Sequence, residues 1–122
     1  MRTVRELLDW AFDRGDMFEM SNIPTRRTGC RYQVWVDKDD GHRHGPRVKV
    51  WVGDSRDKRD LIVVTIAAAP VVVKRPKYHV AEEVVAQVRE FVVLNREVLL
   101  QFWHDRRMAP DELFDGLRSI KA

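Results

Sequence analysis

"VWVDKDDGHRHGPRVKVWV", running from Val34 to Val52, carries one apolar triplet at both ends and a charged insert between them. Around the insert the chain alternates. Tyr32, Val34 and Val36 fall on one side of an extended backbone, as do Val48, Val50 and Val52, while Gln33, Trp35, Lys49 and Trp51 fall on the other. A period of two marks a half-buried strand. Setting Trp35 opposite Trp51 also sets Val34 opposite Val52 and Val36 opposite Val50, so both faces accept one antiparallel register. The stretch is therefore expected to be a hairpin with a loop from Asp37 to Arg47 and Arg43 near its tip.

Working outward, "LIVVTIA" (Leu61 to Ala67) is a continuous apolar run of strand length, as expected of a strand covered on both faces. Val71 to Val73 make a further short strand after Pro70, which "KRPK" ends. Upstream, Val4, Leu7, Leu8, Ala11 and Phe12 recur at helical spacing between Thr3 and Gly15, which predicts an N-terminal helix. "MFEMSNIPTRRTG" has no clean period and reads as a connection. Downstream, Val84, Val88, Phe91, Val98 and Phe102 step by three and four along a long helix from Val80 to Trp103, with Asn95 the one polar position in the stripe. Pro110, Asp111 and Glu112 open a last short helix through Leu113, Phe114, Leu117 and Ile120. The expected fold is a single α+β domain over residues 1–122: an N-terminal helix, a four-stranded antiparallel meander, and a long and a short C-terminal helix packed on the sheet.

A chain of 122 residues suffices for one hydrophobic core. The single cysteine, Cys30, cannot form an internal disulfide, and the first residues hold no apolar stretch of signal-peptide length, so a reducing cytoplasm is expected. The longest apolar run is interrupted by Pro70 and is too short to cross a bilayer, so no membrane partner is expected. Net charge is +3, unevenly spread: residues 21–60 carry ten basic and six acidic groups and residues 61–78 three and none, while residues 1–20 and 79–122 each come to −2. A positive middle between acidic ends suits an anionic partner, or docking of the protein's own parts.

Three sets of residues could carry chemistry. Arg31, Arg43, Arg47 and Lys49 lie on or beside the hairpin with Trp35 and Trp51, and cations interleaved with aromatics are what a nucleic-acid surface uses for phosphates and bases. Cover of the tryptophans by the N-terminal helix is the structural alternative. Asp37, Asp39, His42 and His44 offer metal-ligand atoms, but their spacing matches no EF-hand or zinc pattern, and two histidines at i and i+2 diverge on an extended chain. Such residues equally suit a solvated hairpin tip. Asn95 is either a satisfied buried amide or a polar residue that selects a partner helix. The sequence holds no glycine-rich phosphate loop, no nucleophile elbow and no evident Cys–His pairing.

In "HGPRVKVWV" (His44 to Val52), "LIVVTIAAAPVVV" and "LNREVLLQFWHDRRMAPDELFDGL" (Leu94 to Leu117) the chain resembles a group of small bacterial proteins of unknown function found in phage, plasmid and toxin–antitoxin neighbourhoods. That resemblance implies a mobile-element accessory protein and no particular reaction. The expected function is a non-enzymatic binding or regulatory protein that needs no cofactor and contacts nucleic acid through the basic hairpin of residues 31–52. A metal-dependent nuclease using the Asp/His loop, and a protein-binding inhibitor or homodimer module using the long helix, are the alternatives.

Overall fold

The computed structural model describes residues 21–39, 44–52, 60–76 and 80–121, and the N-terminal helix expected from the sequence lies outside them. Five strands form one antiparallel meander in chain order: β1 (Ser21–Ile23), β2 (Val34–Val36), β3 (Arg47–Trp51), β4 (Leu61–Thr65) and β5 (Val72–Lys74). Among the described residues four helices accompany it: a single turn, α1 (Thr25–Thr28), then α2 (Glu82–Leu94), α3 (Arg96–His104) and α4 (Pro110–Gly116). The α+β class holds, with one strand more than expected. The extra strand is β1, which pairs Ser21 with Val36 and Ile23 with Val34. It is three residues long and Pro24 follows at once, so it leaves no periodic trace in the sequence.

The hairpin forms, in a register two residues from the one expected. Trp35 pairs with Lys49, Val34 with Val50 and Val36 with Val48. A shift of two preserves every side chain's face, so the alternation of apolar residues cannot tell the two registers apart. Contacts beyond the strands accompany the tighter one. Past Val36 the chain leaves the sheet and docks on the end of α3, where the Asp39 N–H donates to the Trp103 carbonyl at 2.8 Å and Lys38 Nζ donates to the carbonyls of Phe102 (3.1 Å) and Asp105. A cation is favoured at a helix C-terminus, where unpaired carbonyls gather.

One sheet face carries the main core. Ile23, Val34, Val36, Val48, Val50, Ile62 and Val64 are buried there with Val84, Val85, Val88, Phe91, Val92, Leu99, Phe102 and Leu113 of the helices. The four central β3 and β4 residues of this set, Val48, Val50, Ile62 and Val64, are completely buried. β4 is closed on its second face as well, since Leu61 and Val63 join Trp51 in a smaller cluster against which Trp35 packs. This is why its sequence reads as an uninterrupted apolar run.

The expected long helix is divided at Asn95 into α2 and α3. The stripe survives the division, because the Asn95 N–H still donates to Phe91 and the Leu99 N–H to Asn95, both at 3.0 Å. The Asn95 side chain ties this junction to the chain beyond α4: Nδ2 donates to the carbonyls of Phe91 (3.0 Å) and Arg118 (2.9 Å), and Oδ1 accepts the Arg118 N–H at 2.7 Å. The same C-terminal segment crosses α1, where the Ile120 N–H donates to Thr28 at 2.9 Å beside Gly29, which has φ of +77°. Among the described residues no helix is long and apolar enough to cross a membrane.

Candidate functional site

The hairpin residues divide between two faces of the molecule. Trp35, Arg47, Lys49 and Trp51 keep the parity opposite to the core valines, so they share the sheet face turned away from α2 to α4. Arg31 does not join them: its N–H donates to Gln87 Oε1 of α2 at 3.1 Å, on the helical side, and its guanidinium lies over the Tyr32 ring at 5.4 Å. Arg43 and His42 lie outside the described residues. On the shared face the rings of Trp35 and Trp51 meet edge to face, with centroids 5.9 Å apart. Trp51 is only 9% exposed and Trp35 is half-buried, so the pair acts chiefly as apolar packing over Leu61 and Val63. Arg47 and Lys49 are half-buried on the same strand.

The Asp/His insert is drawn against α3 at its base. Asp37 is buried and its Oδ1 accepts the Lys38 N–H at 2.7 Å, the Asp39 backbone is bound to Trp103, and the His44 ring lies 5.8 Å from that of Trp103. Lys38 also sits 3.8 Å from the centre of the Phe102 ring. Burial pushes its amine below the usual lysine range, and Asp105 and Glu112 oppose that shift. These contacts dock residues 37–39 and His44 on the end of α3. Among the described residues no three acidic, histidine or cysteine side chains converge as metal ligands.

Asn95 is 3% exposed and its amide is bonded to backbone of its own chain. Cys30 is also buried, with Sγ 3.7 Å from the Gln87 carbonyl, and burial pushes its thiol up from the ordinary range. A thiol held in that form is a poor nucleophile.

A surface that neither charge nor motif singles out lies at the end of the sheet. Among the described residues, the exposed large apolar side chains are Val71 (57%) and Val73 (52%) at β5, and Val93 (52%) and Leu94 (43%) at the end of α2. Buried Pro70, just before β5, lines a groove of about 500 Å³ with Ala86, Arg89, Glu90, Val93 and Leu94, while Val72 packs on the main core and so leaves Val71 and Val73 on the opposite face of the sheet. Among the described strands, β5 pairs with β4 alone. Its first contacts fix which backbone groups point outward. Thr65 takes both groups of Val71, its N–H donating to the Val71 carbonyl at 2.9 Å and its Oγ1 accepting the Val71 N–H at 2.8 Å. Successive residues of an antiparallel strand direct these groups to opposite sides, so those of Val72, which pairs with Val64, point away from β4; beyond it the register shifts, Val63 pairing with Lys74, so that Val73 is an extra residue in β5.

The expected meander puts Val71 to Val73 at one end of the sheet, but an apolar run such as "PVVVK" gives no periodic sign of which side chains stay exposed there, which is why this surface is not legible in the sequence. No family model, curated protein or solved structure matches the chain.

Proposed function

We propose that the chain is a binding module that receives an extended protein segment along the open edge of β5, flanked by the apolar end of α2. The observation that carries this reading is an exposed apolar pair, Val71 and Val73, on a strand that among the described strands pairs on one side only and whose Val72 backbone groups point away from β4. Added strands bind through main-chain hydrogen bonds, and neighbouring apolar patches supply the area that water gives up. Contact of this kind suits the accessory role of mobile-element or toxin–antitoxin type that the resemblance at residues 94–117 implies.

Selection of displayed random peptides against the protein tests the reading. The expected winners are strand-forming, perturb the backbone of residues 71–74, and lose at least tenfold in affinity when Val71 and Val73 both become Glu. Winners that bind elsewhere and ignore that double substitution would argue against it.

A second reading rests on Arg47 and Lys49, which share one parity on one strand beside a half-buried Trp35. Here the hairpin contacts nucleic acid, the cations displacing counterions from phosphates. The expected result is that single-stranded DNA is retained at low salt, is released steeply as salt rises, and is not retained after Arg47→Glu with Lys49→Glu. Retention that ignores salt, or that survives the charge reversal, would remove this reading.

A further inference from the structure

The sheet face turned away from α2 to α4 is closed on one side and open on the other. A row of residues crosses it, with Asn22 opposite Trp35, Trp35 opposite Lys49 and Lys49 opposite Val63. Along this row and beside it Val63, Leu61 and Trp51 are 3%, 6% and 9% exposed, and Asn22 Oδ1 is shut off from water without a hydrogen-bond partner. Val71 and Val73 of β5 share the face but are more than half exposed. The Trp35 ring, itself half-buried, meets Trp51 edge to face and cannot shield the whole strip from β1 to β4. Burial of this kind calls for a second layer over β1 to β4 that stops short of β5. We propose that residues 4–12 supply it, docked as an amphipathic helix over Trp35 and Trp51 and screening Arg47 and Lys49 from solvent. The proposal stands apart from both readings of function above.

The sequence offers one segment of the right chemistry and size. Val4, Leu7, Leu8, Ala11 and Phe12 form an apolar stripe that needs cover, whereas residues 40–43 and 53–59 contain no large apolar side chain. Residues 77–79 hold one, Tyr78, beyond the open strand β5. A helix over residues 4–12 is about 14 Å long and about 10 Å across. Strands β2 to β4 span about 10 Å and the whole sheet about 19 Å, so such a helix covers the buried strip in either orientation and leaves an outer strand bare. Residues 13–20 join it to Ser21 of β1, and extended they reach about 26 Å, enough to cross the sheet. That tether keeps its local concentration on the order of millimolar. Charge agrees, since residues 1–20 come to −2 and the face carries Arg47 and Lys49. Glu6, Asp9 and Asp13 fall on the side of the helix opposite the stripe, so apolar area does most of the holding and the acidic side meets water. An anionic partner of Arg47 and Lys49 would meet that acidic surface and have to displace the segment.

Two measurements on the full chain test the proposal. In the unaltered protein the amides of residues 8–12 are expected to exchange at least about tenfold slower than unstructured chain, because a helix this short is marginal in water unless it packs on something. Thiol labelling then locates the contact. Lys49→Cys is expected to label about tenfold faster once Leu7→Glu and Leu8→Glu are added, while Val71→Cys labels equally fast in both backgrounds. Buried Cys30 stays unlabelled throughout and marks an intact core.

Exchange of residues 8–12 at the unstructured rate overturns the proposal. So does a Lys49→Cys rate that ignores the two substitutions while Cys30 stays protected. Should the Glu pair unfold the chain, Cys30 labels as well, and the milder pair Leu7→Ala and Leu8→Ala takes its place with the same expected order of rates.

Discussion

An Asn95→Leu chain is expected to unfold about 3 kcal/mol more readily than the wild type in a denaturant titration, from the removal of partners to buried polar groups. Leucine has the branching and heavy-atom count of asparagine and a higher helix propensity, so packing changes little. The loss comes from three side-chain hydrogen bonds: one from Nδ2 to the Phe91 carbonyl, and two, from Nδ2 to the Arg118 carbonyl and from the Arg118 N–H to Oδ1, that hold the junction of α2 and α3 to Arg118. The Arg118 N–H and carbonyl then lose these bonds in a part-buried setting, and a buried group stripped of its hydrogen bond costs far more than the bond contributes when made. A residue whose task was to select a partner helix would behave differently, with nearly unchanged stability and a new oligomeric state. A stability loss within experimental error would show that the tie to Arg118 is dispensable.

Gly29→Ala should cost about as much, roughly 3 kcal/mol, through two separate effects. The first is conformational: φ at Gly29 is +77°, in the left-handed region that a Cβ disfavours. The second is steric. An added Cβ would lie 2.6 Å from Ser119 Oγ, 3.0 Å from Ile120 Cγ1 and 3.1 Å from the Lys121 backbone nitrogen, so the C-terminal segment would have to lift from α1. Gly45→Ala is the control, because a Cβ added there would meet nothing within 4 Å, and its effect should stay within about 0.5 kcal/mol. Asn95 and Gly29 act on one segment, residues 118–121, from opposite ends. The double variant is therefore expected to lose less than the two single losses added together, since a tail already released cannot be released again.

Much of this fold can be read from the sequence where a period repeats. The alternation at residues 32–36 and 48–52 identifies β2 and β3 and assigns each side chain to its face, and the apolar run at Leu61 identifies β4. What periodicity cannot supply is a register shift of two, because all faces survive it. That choice goes with contacts distant in sequence, the docking of Lys38 and Asp39 on α3. For the same reason the division of the long helix is invisible. Asn95 stands as one polar letter in a stripe of three and four, and its bonds run to a residue beyond the next helix.

The chemistry of the hairpin is legible as a cluster in the sequence but not as a surface. Its cations and tryptophans are near in the chain, yet the fold turns Arg31 toward Gln87 and the other described members to the far side of the sheet. The tryptophan pair is closed, with Trp51 almost wholly buried. Meanwhile three consecutive valines, expected only as a last short strand, supply an edge with two exposed apolar side chains. Hydrophobicity reports what leaves water on average, and an edge awaiting a partner has the composition of a core.

The most direct measurement on that edge is residue-resolved amide exchange in dilute protein. The Val72 N–H should exchange quickly, as a donor facing the open side, while those of Val48 and Val50, in a strand paired on both sides, stay protected by several orders of magnitude. Addition of a β5-binding peptide should slow Val72 and leave Val48 and Val50 unchanged. A Val72 amide as protected in dilute, monomeric protein as that of Val50 would mean that the edge is already closed, and would contradict the account.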